Sequence, residues 1–204
     1  MGFDASLSSL DICPEPYIDT SYNDSSKWSS DLHEGVLEHV LMLLPGLLGL
    51  HIRNCMKLDH ATVFRLLSHT PLLESLSVTT WENPSTLCTS FAGLSSLRNL
   101  YIDTRNALLP ASVQPLWSNI IAHTKSTHAP LSSLTLRLSE KLIITSAMID
   151  EILDAHADTL TALRFIKCVI DIASVKQICQ RCKNLEKLAT HVPVKDLVST
   201  ASKH

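Results

Sequence analysis

The chain predicts an α/β solenoid, with a curved parallel sheet on the concave face and helices on the convex face, built from about seven repeats. Three observations lead there. One short frame recurs seven times: an aliphatic residue, two variable positions, a Leu, one variable position and usually another apolar residue. Between the frames, apolar residues change from alternation to helical spacing. The distance from one frame to the next suits one short strand, one turn and one return helix.

The frames run in order as Leu7, Leu10, Ile12; Leu47, Leu50, Ile52; Leu73, Leu76, Val78; Leu97, Leu100, Ile102; Leu131, Leu134, Leu136; Leu160, Leu163, Phe165; and a decayed Leu185, Leu188, Thr190. Their first anchors stand 40, 26, 24, 34, 29 and 25 residues apart. Four of these six steps lie in the range of roughly 20 to 29 residues that marks leucine-rich repeats. The longest step contains CPEPYIDTSYNDSSKWSS, a polar insertion at 13–30 rich in turn-forming residues. In the other long step, NALLP and HTKSTHAP are read as lengthened turns on either side of a helix. Residues 1–198 are thus one leucine-rich-repeat array, and 199–204 a short disordered tail.

Within each frame, alternation puts the Leu side chains on one strand face and the variable residues on the other. The intervening segments carry helical stripes: Val36, Leu37, Val40, Leu41, Leu44; Val113, Leu116, Trp117, Ile120, Ile121; Met148, Ile149, Ile152, Leu153; and Ile172, Val175, Ile178, Cys179, Cys182. Asp31 with Glu34 resembles a capping box, and Asp59 and Asp171 stand where an N-cap acceptor is wanted.

Composition restricts function. A net charge of -3 without a Lys/Arg cluster argues against a nucleic-acid surface. No apolar run approaches the roughly 18 residues of a membrane span, and no secretory signal is apparent, so a cytoplasmic or nuclear protein with reduced cysteines is expected. Met-Gly-x-x-x-Ser at the start matches a myristoylation pattern, but no polybasic second signal follows, and a chance match is the reading.

Cys55 and Cys168 each fall eight residues after a first anchor, where such repeats bond backbone groups at a turn. Cys179 and Cys182 form a CxxC on a helical stripe, with no second pair at metal-ligand spacing, and read as two packed thiols. His33, Glu34 and His39 fail as a zincin because its two His must stand four apart on one helical face. With no nucleophile elbow and no glycine-rich phosphate loop, catalytic residues, cofactors and metal ligands are all expected to be none, and the protein is read as not an enzyme.

The runs LLGLHIRNC and HATVFRLLSHTPLLESLSV, and above all ALRFIKCVIDIASVKQICQRCKNLEKL, resemble the cysteine-containing leucine-rich repeats of fungal F-box proteins, from about Leu37 to Leu188. Leu163, Phe165, Cys168, Ile178, Cys182, Leu185 and Leu188 stand at that family's apolar and Cys positions. The resemblance implies a non-catalytic interaction module, the substrate-recognition repeats of a cullin ubiquitin ligase. A stand-alone adaptor or inhibitor is the alternative, as is a truncated fragment. No Leu-Pro-x-Glu-Ile-like F-box start occurs in the first fifty residues, so the Skp adaptor is expected as a partner only if an F-box lies upstream. Neither end carries a polar cap for the array, which leads to the expectation of a shortened product or one completed by another chain.

Partner binding is assigned to variable positions of the concave face: His51, Arg53, Tyr101, Asp103, Arg137, Arg164 and Lys187. Arg137, Arg164 and Lys187 are expected to form a basic column for an acidic segment of a protein partner, with Tyr101 as an anchor.

Overall fold

The computed structural model describes residues 7–12, 32–55, 58–80, 94–104 and 110–193. The polar insertion, the tail, Gly2 and Asp31 lie outside them. Seven strands, β1 (Ser9–Ile12), β2 (Gly49–Cys55), β3 (Ser75–Thr80), β4 (Asn99–Asp103), β5 (Ser133–Ile143), β6 (Ala162–Val169) and β7 (Lys187–His191), form one open sheet in sequential order. All neighbours are parallel. Five α-helices lie among the described residues: α1 (Glu34–Leu43), α2 (His60–Leu66), α3 (Pro110–Ser126), α4 (Ser146–His156) and α5 (Ile172–Arg181). A 3-10 turn, Leu67–His69, extends α2.

Each frame becomes a strand, and the frames stack in register. Leu10, Leu50, Leu76, Leu100, Leu134, Leu163 and Leu188 pair across all seven strands. The first anchors of the five inner frames, Leu47, Leu73, Leu97, Leu131 and Leu160, are fully buried, while Leu7 at the sheet edge is 48% exposed. The residue after each anchor fixes this register through its carbonyl. Ser8, Leu48, Glu74, Arg98, Ser132 and Thr161 each accept two successive backbone N–H groups from the next repeat, at 2.8 to 3.1 Å. One repeated backbone contact thus satisfies the donors at each strand's entry and sets the same offset at every step.

The helices pack their apolar stripes into one cluster with the inward Leu side chains. Asp59 and Asp171 are N-caps, accepting the Thr62 and Ser174 N–H groups at 2.6 Å each. The start of α1 differs from the capping-box expectation: its N-cap is His33, without a side-chain cap bond, and Glu34 instead pairs with Arg65 on α2. Helix-to-helix pairs of this kind recur, as Glu38 with His69 at 3.4 Å and Asp154 with Arg181 at 2.6 Å. Two stripe positions also depart from expectation. Val36 is 42% exposed and Cys179 is exposed, because the buried pairs are Leu37 with Leu41 and Ile178 with Cys182, four apart, and each outlier sits about 100° round the helix from them. Cys179 and Cys182 are therefore not two packed thiols.

Of the two lengthened turns expected in the long step before Leu131, residues 106–109 lie outside the described residues, and the second is in part helix. Pro110 is the first residue of the 17-residue α3, and His123 to Ser126 are its last turn. A Pro opens a helix without loss because its missing N–H would have no intrahelical acceptor there. The helix stops at His128, which takes a left-handed φ of 53°. The His128 N–H reaches the Lys125 carbonyl at 3.1 Å and the Ala129 N–H the Thr124 carbonyl at 3.0 Å, the paired bonds of a Schellman stop. A residue with a Cβ is strained in that conformation and glycine is not. His128→Gly is expected to raise stability by about 1 kcal/mol and His128→Val to lower it, read from urea unfolding midpoints.

Past the frames, β2, β5 and β6 each break register against the next or preceding strand. In β6 the irregularity contains Lys167 at φ 60°, and it turns Cys168 inward. The buried Cys168 thiol donates to the Ile166 carbonyl at 3.5 Å, and the Cys55 thiol to the Arg53 carbonyl at 3.6 Å. Burial pushes the Cys168 pKa up to about 12, as befits a thiol packed in an apolar core.

Candidate functional site

Strand alternation sends every second side chain of the stacked frames away from the buried Leu residues, and the register aligns them in rows across the sheet. One row reads Ser9, Gly49, Ser75, Asn99, Ser133, Ala162, Lys187; the next reads Asp11, His51, Ser77, Tyr101, Thr135, Arg164, Ala189. A third joins Thr79, Asp103, Arg137 and Ile166. Between them lies a groove of about 480 Å³ crossing β2 to β6, and His51, Arg53, Tyr101, Asp103, Arg137 and Arg164 all line it.

Six of the seven expected residues therefore come together, in unequal roles. Arg53 is exposed and pairs with Asp11 on the neighbouring strand at 3.4 Å. Asp103 does not project toward a partner as expected, since its side chain is 1% exposed. Tyr101 donates its hydroxyl to the Asp103 carboxylate at 3.4 Å, and Arg137 donates to the Tyr101 oxygen at 3.4 Å. The Arg137 Nε stands 3.9 Å from Asp103, an ion-pair distance. The Tyr101 hydrogen bond first, and the Asp103 charge after it, push the Arg137 pKa further up. A carboxylate this buried requires such partners. Thr104 reinforces the arrangement by donating both its N–H, at 2.9 Å, and its hydroxyl, at 3.0 Å, to the Arg137 carbonyl. Arg137 is thus held within the sheet as the counter-charge of Asp103.

The expected basic column is also redrawn. Lys187 does not line the groove, and it stands in the row of Asn99 and Ser133, whereas Arg164 stands in the row of Tyr101 and Arg137 in the row of Asp103. The three cations descend diagonally, one row per strand, because Lys187 sits two residues after its anchor where Arg164 sits four after and Arg137 six. Neither Arg164 nor Lys187 has an ion-pair or side-chain hydrogen-bond partner among the described residues.

The row of Ser75, Asn99 and Ser133 was not assigned from sequence, although the same alternation places it on this face. These short side chains line the groove at the entry end of the strands, and their hydroxyl and amide groups suit the polar backbone of an extended chain. Among the described residues no three His, Cys, Asp or Glu side chains converge to hold a metal ion. No helix among them is long and apolar enough to cross a membrane. Against family models, curated proteins and solved structures, the chain finds no match.

Proposed function

We propose that the chain is a leucine-rich-repeat array acting as a non-catalytic protein-interaction module in the cytoplasm or nucleus, similar to the substrate-recognition repeats of F-box proteins. The observation that supports this reading most is the groove across β2 to β6, lined mainly by variable positions between the Leu residues of the frame. Such a surface changes its ligand without disturbing the core, which is how repeat arrays use their sheet face. The link to a ubiquitin ligase rests on the resemblance, and it predicts that the Skp adaptor copurifies with a longer reading frame carrying an F-box and not with residues 1–204 by themselves.

A display library of unbiased peptides tests the module directly. A photo-crosslinker in place of Ser77, within the groove, is expected to capture the enriched peptides, and one in place of His39, on the exposed side of α1, is not. No enrichment, or capture at His39 instead, would overturn the reading.

A further inference from the structure

Among the described cations of the groove-bearing face, two have an ion-pair partner within the fold and two do not. Arg53 has Asp11, and Arg137 has Asp103 with Tyr101. Arg164 and Lys187, on the last two strands, have no such partner among the described residues. Their neighbours explain why they stay uncovered. Arg164 lies between Thr135 and Ala189, and Lys187 beside Ala162, so the two cations occupy one diagonal of a four-residue square and two alanines the other. Glu186, the one acid next to either in sequence, takes the opposite strand side from Lys187, its neighbour.

We infer that this diagonal is a two-point site for an extended acidic peptide with carboxylates at alternate positions. The inference rests on the interaction-module reading and specifies its ligand. A step of one strand and one row separates the two cations by about 8 Å, from a strand spacing of about 4.8 Å and a same-face spacing of about 6.7 Å. In an extended peptide, carboxylates at positions i and i+2 leave one side of the backbone about 6.7 Å apart, within reach of two long flexible side chains. Adjacent carboxylates leave opposite sides, so only one engages. Arg164 offers a planar fork that takes a carboxylate in bidentate fashion, and Lys187 a mobile point charge. The alanines leave room for the peptide backbone between them, and the hydroxyl row from Ser75 to Ser133 continues the track toward β3.

Two labelled peptides of one composition, Thr-Glu-Thr-Glu-Thr and Thr-Glu-Glu-Thr-Thr, test the site by fluorescence anisotropy on the full chain. The alternating peptide is expected to bind about tenfold more tightly than the adjacent one, and that preference is lost in the double variant Arg164→Glu with Lys187→Glu. Both positions lack partners among the described residues, so the variant keeps its unfolding transition, and the Met pair Arg164→Met with Lys187→Met serves if it does not. Lys176→Glu, on the exposed side of α5 and away from the groove, changes the affinity by less than about twofold. Equal binding of the two peptides, or an unaffected double variant, overturns the site. Poly(U) binding as tightly through the same two residues would make this a general polyanion surface and overturn it also. If neither peptide binds while library peptides still crosslink at Ser77, the two-point site falls and the module reading stands; if the crosslinking fails too, both fall.

Discussion

Trp117→Ala is expected to lower the unfolding free energy by about 4 kcal/mol, while Trp117→Phe lowers it by about 1 kcal/mol or less. Trp117 lies on α3 in the main hydrophobic cluster and is wholly buried. Truncation to alanine removes the largest side chain of that layer and leaves a cavity that a sheet and helix pinned by backbone bonds cannot collapse. Phenylalanine leaves a smaller void and removes a liability, because the buried indole Nε1 finds no hydrogen-bond partner among the described residues. An unpaired buried donor costs about 1 to 3 kcal/mol, which offsets much of the lost packing. Urea titrations of the three proteins decide it. If the phenylalanine variant is as unstable as the alanine one, the indole N–H is satisfied in solution and packing alone holds α3.

Acidification between pH 6.5 and 4 is expected to destabilise the fold by several kcal/mol, through two of its ten histidines. His60, the first residue of α2, and His156, the last of α4, are 1% and 2% exposed. Burial lowers the pKa of His60 from 6.5 to about 4, against a smaller opposing pull from Asp59. Burial, with Lys125 adding to it, lowers His156 to about 4. Below pH 6.5 the unfolded chain takes up two protons that the folded chain refuses, so stability falls with pH until about pH 4, where the folded imidazoles also titrate. A shift of this size corresponds to about 3 kcal/mol for each group.

His156 also shows what is lost on protonation. The Thr124 hydroxyl donates to the Ile121 carbonyl at 3.0 Å, so the His156 Nε2 must carry the proton that joins it to Thr124 at 2.8 Å, leaving Nδ1 as the site where the second proton enters. His156→Gln keeps a donor for Thr124 and removes the titration, so its stability is expected to fall about half as steeply between pH 6.5 and 4. Urea midpoints at pH 7.5, 6 and 5 that do not change would show that neither imidazole stays neutral in the fold.

The frame carried most of the fold. All seven of its central Leu positions fall into one register, and the two Asp caps before α2 and α5 stand where they were placed, because these features depend on a handful of consecutive residues. The length of α3 was less legible, since polar His123, Thr124 and Lys125 look like loop in isolation, yet Thr124 is buried against His156 of the next helix. The groove was legible as a set of alternating positions, and its division of labour was not.

From the sequence alone follow the parallel strands, the buried Leu rows and the face on which Tyr101, Arg137 and Arg164 stand, because strand alternation and helical period are local properties of the chain. Only the tertiary structure decides that Arg137 belongs to Asp103, Arg53 to Asp11, and Arg164 to nothing among the described residues. Those pairings join residues 34 and 42 apart, across return segments of unequal length. Which row each cation joins depends on its offset from its own anchor, and which charge it meets depends on the neighbouring strand, so the electrostatics of the face exist only once the repeats are stacked.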